Sequence, residues 1–320
     1  MLYKYYNYKN IKAISQSNDY YKFKFNLIVI FAFLLSVFAY YKYYLNKEKL
    51  CFFLEKYEVN IYHQIREKLL QSKCSIMFEF QREFLNGIIR KFKPHKILEL
   101  GVQYGGSSII IMNAIEDIKD SKLYSIDINN EKKVGICVYK YFPQFLNNWN
   151  LFKGDCSTEY LEQIGNNIDM VFIDTAHFEP GEILDFLIVL PFLKEEAIVI
   201  IHDIASQMTT GYKRNEWAPY IIFNAIRGEK FFPSGNFILK QGIGAAKLEK
   251  SQHKFYNDYF RLLGGQWQYF PKEIYINKIR NFFKKYYEQD CLMIFEETVS
   301  FNRNLVKLDP KPIEYRYISD

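Results

Sequence analysis

Acids, glycines and histidines in the middle of this chain fall at the ends of apolar runs. The run Ile97-Leu98-Glu99-Leu100 carries a carboxylate and passes straight into Gly101-Val102-Gln103-Tyr104-Gly105-Gly106-Ser107-Ser108. A second run ends at Asp127, and a third is followed by Gly154-Asp155-Cys156. A fourth ends at Asp174, with His177 three residues on, and a fifth ends at His202-Asp203. A strand that ends in acid and turns through glycine into a helix suits a small ligand with a cationic group. Gly101 lets the chain turn sharply and lets a ligand approach the backbone. Gly105 and Gly106 open the following helix without a side chain in the way, and Ser107 can donate from its first turn.

The glycine spacing is G-x-x-x-G-G. The dinucleotide fingerprint is G-x-G-x-x-G and seats a pyrophosphate on the helix N-terminus. Here Glu99 stands at the strand end instead, where it suits an ammonium group. Asp127, at the next strand end, can accept both ribose hydroxyls of a nucleoside. Asp155 or Cys156, after the third strand, can meet the adenine edge. A cationic group, a ribose and an adenine in that order describe S-adenosylmethionine.

Asp174 and His202-Asp203 end neighbouring strands. Parallel neighbours lie about 4.8 Å apart, so these tips share one rim. Methyl transfer to oxygen is an in-line displacement in which the sulfonium leaves readily and a neutral alcohol attacks poorly. A divalent cation held by Asp174, His202 and Asp203 would orient the hydroxyl and lower its pKa. His177 could then take the proton, since imidazole titrates near neutrality. Histidine is a softer ligand than magnesium prefers, which leaves manganese, another transition ion or no metal at all equally open. His63, His95 and His253 lie in ordinary polar or loop contexts.

The stretch "ELGVQYGGSS" resembles the first motif of class I S-adenosylmethionine-dependent methyltransferases. It is most similar to the cephalosporin hydroxylase-like and macrocin O-methyltransferase-like branch, and is also similar to catechol-type enzymes. The resemblance spans roughly residues 75–250. It implies that Glu99, Gly101, Gln103, Ser107 and Asp127 line the cofactor, and that an acid at Asp174 and a base at His177 serve a metal-dependent reaction. The strand-end pair departs from both templates. Against the catechol pattern Ile204 replaces an amide ligand, and against the macrocin-like pattern His202 replaces an acid.

These residues need a scaffold that brings strand ends together. Apolar runs at 97–100, 123–128, 150–152, 168–173 and 197–201 alternate with helical stretches near 106–117, 132–142, 158–164 and 180–193. This alternation predicts an α/β fold with a doubly wound, mostly parallel seven-stranded sheet. Residues 237–249 predict an antiparallel last hairpin turning at Gln241-Gly242. The expected divisions are a basic tail at 1–24, a transmembrane helix at 25–41, a helical lead-in at 45–92, a methyltransferase core at 93–250 and a helical extension at 251–320. "YKRNEW" (212–217) is a candidate lid.

The net charge of +6 is concentrated at the start of the chain, where Lys4, Lys9, Lys12, Lys22 and Lys24 stand against Asp19. The rest lacks the basic stripe of a nucleic-acid protein. Residues 25–41 carry no charge and would reach about 26 Å as a helix, against a hydrocarbon core of about 30 Å. They predict a single-pass membrane anchor, with the main domain facing the cytoplasm. Five cysteines without CxxC spacing predict reduced thiols and no disulfide framework. The functional expectation is O-methylation of a hydroxylated small molecule or glycan, with magnesium or manganese as an optional aid. The competing readings are a membrane-tethered binding domain without chemistry and another nucleotide-cofactor enzyme on the same sheet. The C-terminal helices could cap the site or form a homo-oligomer interface.

Overall fold

The computed structural model describes residues 59–205, 217–233 and 242–308. Two amphipathic helices lead in, α1 (Val59–Ser72) and α2 (Glu79–Phe92). Gln81 Oε1 accepts the Phe78 N–H at 2.8 Å at the start of α2, and Lys93, at φ 47°, ends it before Pro94. Five strands follow, β1 (Lys96–Leu100), β2 (Lys122–Asp127), β3 (Trp149–Lys153), β4 (Ile168–Ile173) and β5 (Leu193–His202). Helices α3 (Gly106–Ala114), α4 (Ile136–Tyr141), α5 (Leu161–Ile164) and α6 (Gly181–Val189) connect them. After α7 (Ala218–Ala225) come β6 (Gly228–Phe231) and β7 (Ile243–Leu248), then α8 (Tyr256–Phe260), α9 (Glu273–Tyr286) and α10 (Gln289–Leu308).

The seven strands form one sheet in the order β3-β2-β1-β4-β5-β7-β6. The first five are parallel, and β7 is antiparallel to both β5 and β6. Alternate residues of each strand face opposite sides, so each strand supplies two cores. Leu98, Leu100, Val171, Ile173, Val199 and Ile201 pack with α6 and the C-terminal helices. Ile97, Met170, Phe172, Ile198 and Ile200 pack with α1 to α4. A sheet covered on both faces needs continuous apolar strands, which accounts for the unbroken run at 168–173. The winding direction reverses between β1 and β4, and a ligand crevice is expected at the carboxyl ends of those strands.

The expected antiparallel end of the sheet is present, with β7 paired to Gly228–Phe231; residues 234–241, where the first part of the expected 237–249 hairpin falls, lie outside the described residues. Other expectations are corrected. Cys74 and Cys137, 63 residues apart, form a disulfide. Their spacing carries no motif, and the fold brings them together because both flank the glycine turn after β1. The expected N-terminal membrane helix is corrected to this extent: no helix among the described residues is long and apolar enough to cross a membrane, and the run at 25–41 on which it rested lies outside those residues. The apolar helices α3 and α6 have nine residues each, and α7 has eight; nine residues reach about 14 Å, under half of a bilayer core. The membrane as a partner, the single-pass location and the cytoplasmic facing of the main domain rested on that helix and find no support among the described residues. The run at 25–41, residues 206–216 (which include all of the candidate lid at 212–217 except Trp217), residues 234–241 and the tail from 309 lie outside the described residues.

Candidate cofactor and metal site

The turn after β1 is fixed by its own chain. Gly101 has φ 87°, and a Cβ there would stand 1.9 Å from the Asp174 carbonyl oxygen. Backbone bonds run from Gly101 N to Ile126 O at 2.9 Å and from Asp174 N to Leu100 O at 3.0 Å. Only glycine fits, because the tips of β1, β2 and β4 converge on it. Gly105, at φ 91°, leaves room for Val138. The disulfide segments brace the same turn from outside. Gly106 packs under Cys74 and Ser75, and the Cys137 N–H donates to Tyr104 O at 3.0 Å.

The three expected cofactor acids differ in how much capacity they retain. Glu99 is fully buried and accepts Ser107, Ser108 and Ser125 hydroxyls, each at 2.6 Å. Burial pushes its carboxyl up to about 7, against the pull of those hydroxyls. Trp149 Nε1 donates to Ser125 and ties β3 into this network. Ser107 is therefore spent on Glu99 in this structure. Asp127 is nearly buried; its Oδ2 accepts the N–H groups of Val102 and Gln103, and its Oδ1 accepts that of Asn129. An ionised carboxylate offers about four acceptor positions, so one is left on Oδ1 for a ribose hydroxyl. Gln103, at φ 49°, contributes backbone to this cradle. Asp155 accepts the Cys156 N–H at 2.8 Å and Lys278 Nζ at 2.6 Å. Burial opposes its charge, but Lys278 and the Cys156 amide carry its carboxyl below the ordinary value. Cys156 Sγ lies 2.8 Å from Thr158 Oγ1, and burial raises its thiol. Lys278 comes from α9, 123 residues away, and no local pattern could have indicated it.

Beside this cradle Asp174, His177, His202 and Asp203 offer ligand atoms that all lie within 4.8 Å of one another. His177 Nε2 is 2.9 Å from Asp174 Oδ1, and its Nδ1 is 3.5 Å from Asp203 Oδ2. His202 Nδ1 lies 3.4 Å from Asp174 and 3.5 Å from Asp203. Those separations are longer than a well-formed hydrogen bond, and neither buried ring nitrogen of His202 has a hydrogen-bond partner among the described residues. Burial disfavours charge on Asp174, His177 and His202, and the mutual attraction outweighs it there. Asp174 falls well below the carboxylate range beside His202 and His177. His177 rises to about 9 on Asp174, Glu182 and Asp203, and His202 rises well above its ordinary value on Asp174 and Asp203. Ile204 is turned into the apolar core, and His177 stands in the cluster as the fourth donor.

Sequence reasoning missed Glu182, in the first turn of α6. It is fully buried; its Oε2 accepts the His177 N–H at 2.9 Å, and its Oε1 has no hydrogen-bond partner among the described residues. Burial pushes it up to about 8 against the pull of His177. The signal was available. Ile183, Leu184, Phe186 and Leu187 make α6 apolar around most of its circumference, and an acid on such a helix is buried.

Two imidazoles and two carboxylates with orphaned buried ring nitrogens fit a divalent ion that accepts nitrogen ligands, such as manganese or another transition ion, better than magnesium. A family model described as a methyltransferase domain matches residues 98–204. Among solved structures, the chain is similar to the O-methyltransferase TomG from Streptomyces achromogenes, described as involved in tomaymycin synthesis. Identity there is 17%, the TM-score is 0.42, and the match covers 54% of this chain and 81% of that one. An O-methyltransferase from Bacillus cereus matches at 13% identity and TM-score 0.42, over 59% of this chain and 90% of that one. The methyltransferase PaMTH1 from Podospora anserina matches at 13% identity and TM-score 0.42, over 66% and 96%. No curated protein matches the chain. Residues 98–204 thus carry a methyltransferase domain, which supports enzymatic methyltransferase activity for the chain.

Proposed function

We propose that this enzyme methylates a hydroxyl oxygen on a small molecule or glycan, with a divalent cation at the β4–β5 tips. The observation that supports this most is the four-residue donor cluster directly beside the β1 turn. The Gly101–Asp174 contact couples the two halves of the site, so a methyl donor in the turn would face an acceptor at the cluster. The departure at His202 from an acid-rich ligand set argues for a relative of the macrocin-type branch with altered ion preference.

Asp127 would hold the ribose through the free acceptor position of Oδ1. Asp155, steadied by Lys278, would face the adenine edge. Asp174, His202 and Asp203 would hold the cation, which when bound supplies orientation of the acceptor hydroxyl and a lower hydroxyl pKa. His177 keeps its Nε2 on Asp174 and takes the hydroxyl proton at Nδ1, the looser of its two contacts. The new bond joins the acceptor oxygen to the methyl carbon, the carbon–sulfur bond breaks, and the sulfonium becomes a neutral thioether.

The test is calorimetric titration of the full chain with S-adenosylmethionine and separately with NAD, followed by methyl transfer to a panel of sugar and phenol acceptors with manganese, magnesium or EDTA. Binding of the sulfonium cofactor alone and manganese-dependent transfer are expected. Binding of NAD in its place, or transfer unchanged by EDTA, would refute the reading.

A further inference from the structure

His177 reaches the cluster only because its backbone is turned. It has φ 57°, in the left-handed region that a residue with a side chain seldom adopts. The loop after β4 carries it, and nothing in its own sequence demands that turn. The partner that meets this turned backbone is Glu182. Its Oε2 accepts the His177 N–H at 2.9 Å from a fully buried position.

The location of Glu182 is unusual for its type. An acid in the first turn of a helix ordinarily faces solvent or its own helix amides. This one reaches back five residues into the loop. Gly181 beside it leaves room for the Tyr269 hydroxyl, since a Cβ at 181 would stand 2.2 Å from that oxygen. The loop is held from its other side as well, where Gln268 N donates to Glu179 O at 3.0 Å and Gln268 Oε1 accepts the Glu179 N–H at 2.9 Å. Between these two anchors the His177 backbone N–H is held, among the described residues, by Glu182.

We infer that Glu182 is a positioning residue: by accepting the His177 N–H it sets the left-handed turn that aims the imidazole at Asp174 and Asp203. The inference rests on the reading of His177 as the group that receives the hydroxyl proton. A buried acceptor is the chemistry that such a turn requires, because an amide N–H taken from water must find an oxygen. Outer partners that orient a site histidine commonly change the behaviour of the site by ten- to a hundredfold when removed.

The test compares the full chain with Glu182→Gln and Glu182→Ala, without cation, donor or acceptor. Gln keeps a carbonyl oxygen at the same reach and Ala removes it. Amide hydrogen exchange at His177 and the ring ¹⁵N resonances of His177 and His202 are recorded. In the unaltered protein and Glu182→Gln the His177 amide should exchange slowly. In Glu182→Ala it should exchange at least tenfold faster, and the His177 ring resonance should move while that of His202 stays. Fast exchange in the unaltered protein, an Ala variant that keeps both signatures, or a Gln variant that loses both would each overturn the inference. Should the Ala variant not fold, the unaltered protein and Glu182→Gln decide it by the same criteria. These readouts involve no methyl transfer, so failure of the methyl-transfer reading would leave them unmoved.

Discussion

Gly101→Ala adds a single methyl group where the two halves of the site meet. Two costs follow from the structure. The residue sits at φ 87°, and a left-handed backbone costs a residue with a Cβ roughly 1–2 kcal/mol. The new Cβ also stands 1.9 Å from the Asp174 carbonyl oxygen, so the tips of β1 and β4 must part. Overpacking of this kind costs about 1–3 kcal/mol. The total is about 2–5 kcal/mol. At about 2–4 °C per kcal/mol for a domain of this size, the melting temperature should fall by roughly 4–20 °C. Gly165→Ala separates the two costs. Gly165 also has positive φ, at 78°, but the nearest atom to its added Cβ would be Lys96 Nζ at 3.6 Å. With ψ at 171° it lies in the extended positive-φ region, so it should show a backbone cost alone, roughly 1–3 kcal/mol, and bind S-adenosylmethionine normally. Calorimetric melting and cofactor titration of both variants are the assay. The displacement in Gly101→Ala moves the Val102 and Gln103 amides that Asp127 holds, so its cofactor affinity should fall at least tenfold. A Gly101→Ala protein no less stable than Gly165→Ala would refute the claim that contact between the β1 and β4 tips fixes this glycine.

Two further outcomes follow from the same geometry. Asp127→Ala frees the Val102, Gln103 and Asn129 amides together and should abolish measurable cofactor binding by calorimetry, whereas Asp174→Ala should leave that binding largely intact and remove turnover; loss of binding in both would show that the site is divided differently. Replacing Cys74 and Cys137 together by serine opens a 63-residue link beside the glycine turn and should cost about 2–4 kcal/mol in denaturant melts without reductant; a variant as stable as the unaltered protein under those conditions would show that the bridge does not brace the turn.

The sheet was legible where strands are apolar on both faces. The run at 168–173 coincides with β4, and the core of β5 falls at the run 197–201. Where pairing is set by distant partners the sequence was silent. Gly228–Phe231 contains a glycine and two charged residues, and it becomes a strand only by lying against β7. The positions of the acids were legible too, because each ends a strand. Their occupancy was not. Glu99 reads as an open carboxylate until Ser107, Ser108 and Ser125, from a helix and a neighbouring strand, are seen to converge on it. Lys278 reads as one of many exposed lysines until α9 lays it on Asp155. The apparent gap at Ile204 has the same origin. Reading along one strand end stops at His202-Asp203, whereas the loop after β4 brings His177 into the same cluster from the other side.

That set makes a statement about charge. Without a cation, His177 and His202 hold their protons through neutral pH, because Asp174 and Asp203 outweigh the penalty of burial. Two imidazolium ions then balance two carboxylates. A divalent cation with two neutral imidazoles gives the same balance, so binding amounts to exchange of one dication for two protons. The sign follows directly. Below about pH 9 both histidines are protonated, so affinity should rise with pH by up to a hundredfold per unit, and by less once His177 has lost its proton. Manganese titrations at pH 7–8 in buffers of different ionisation enthalpy count the protons released. About two per ion are expected, falling to about one in His177→Gln. A flat dependence on pH, with no proton released, would mean that the imidazoles are neutral before the ion arrives. The attraction between these four side chains would then be too weak to hold them together, and the cluster would lose its standing as a preformed site.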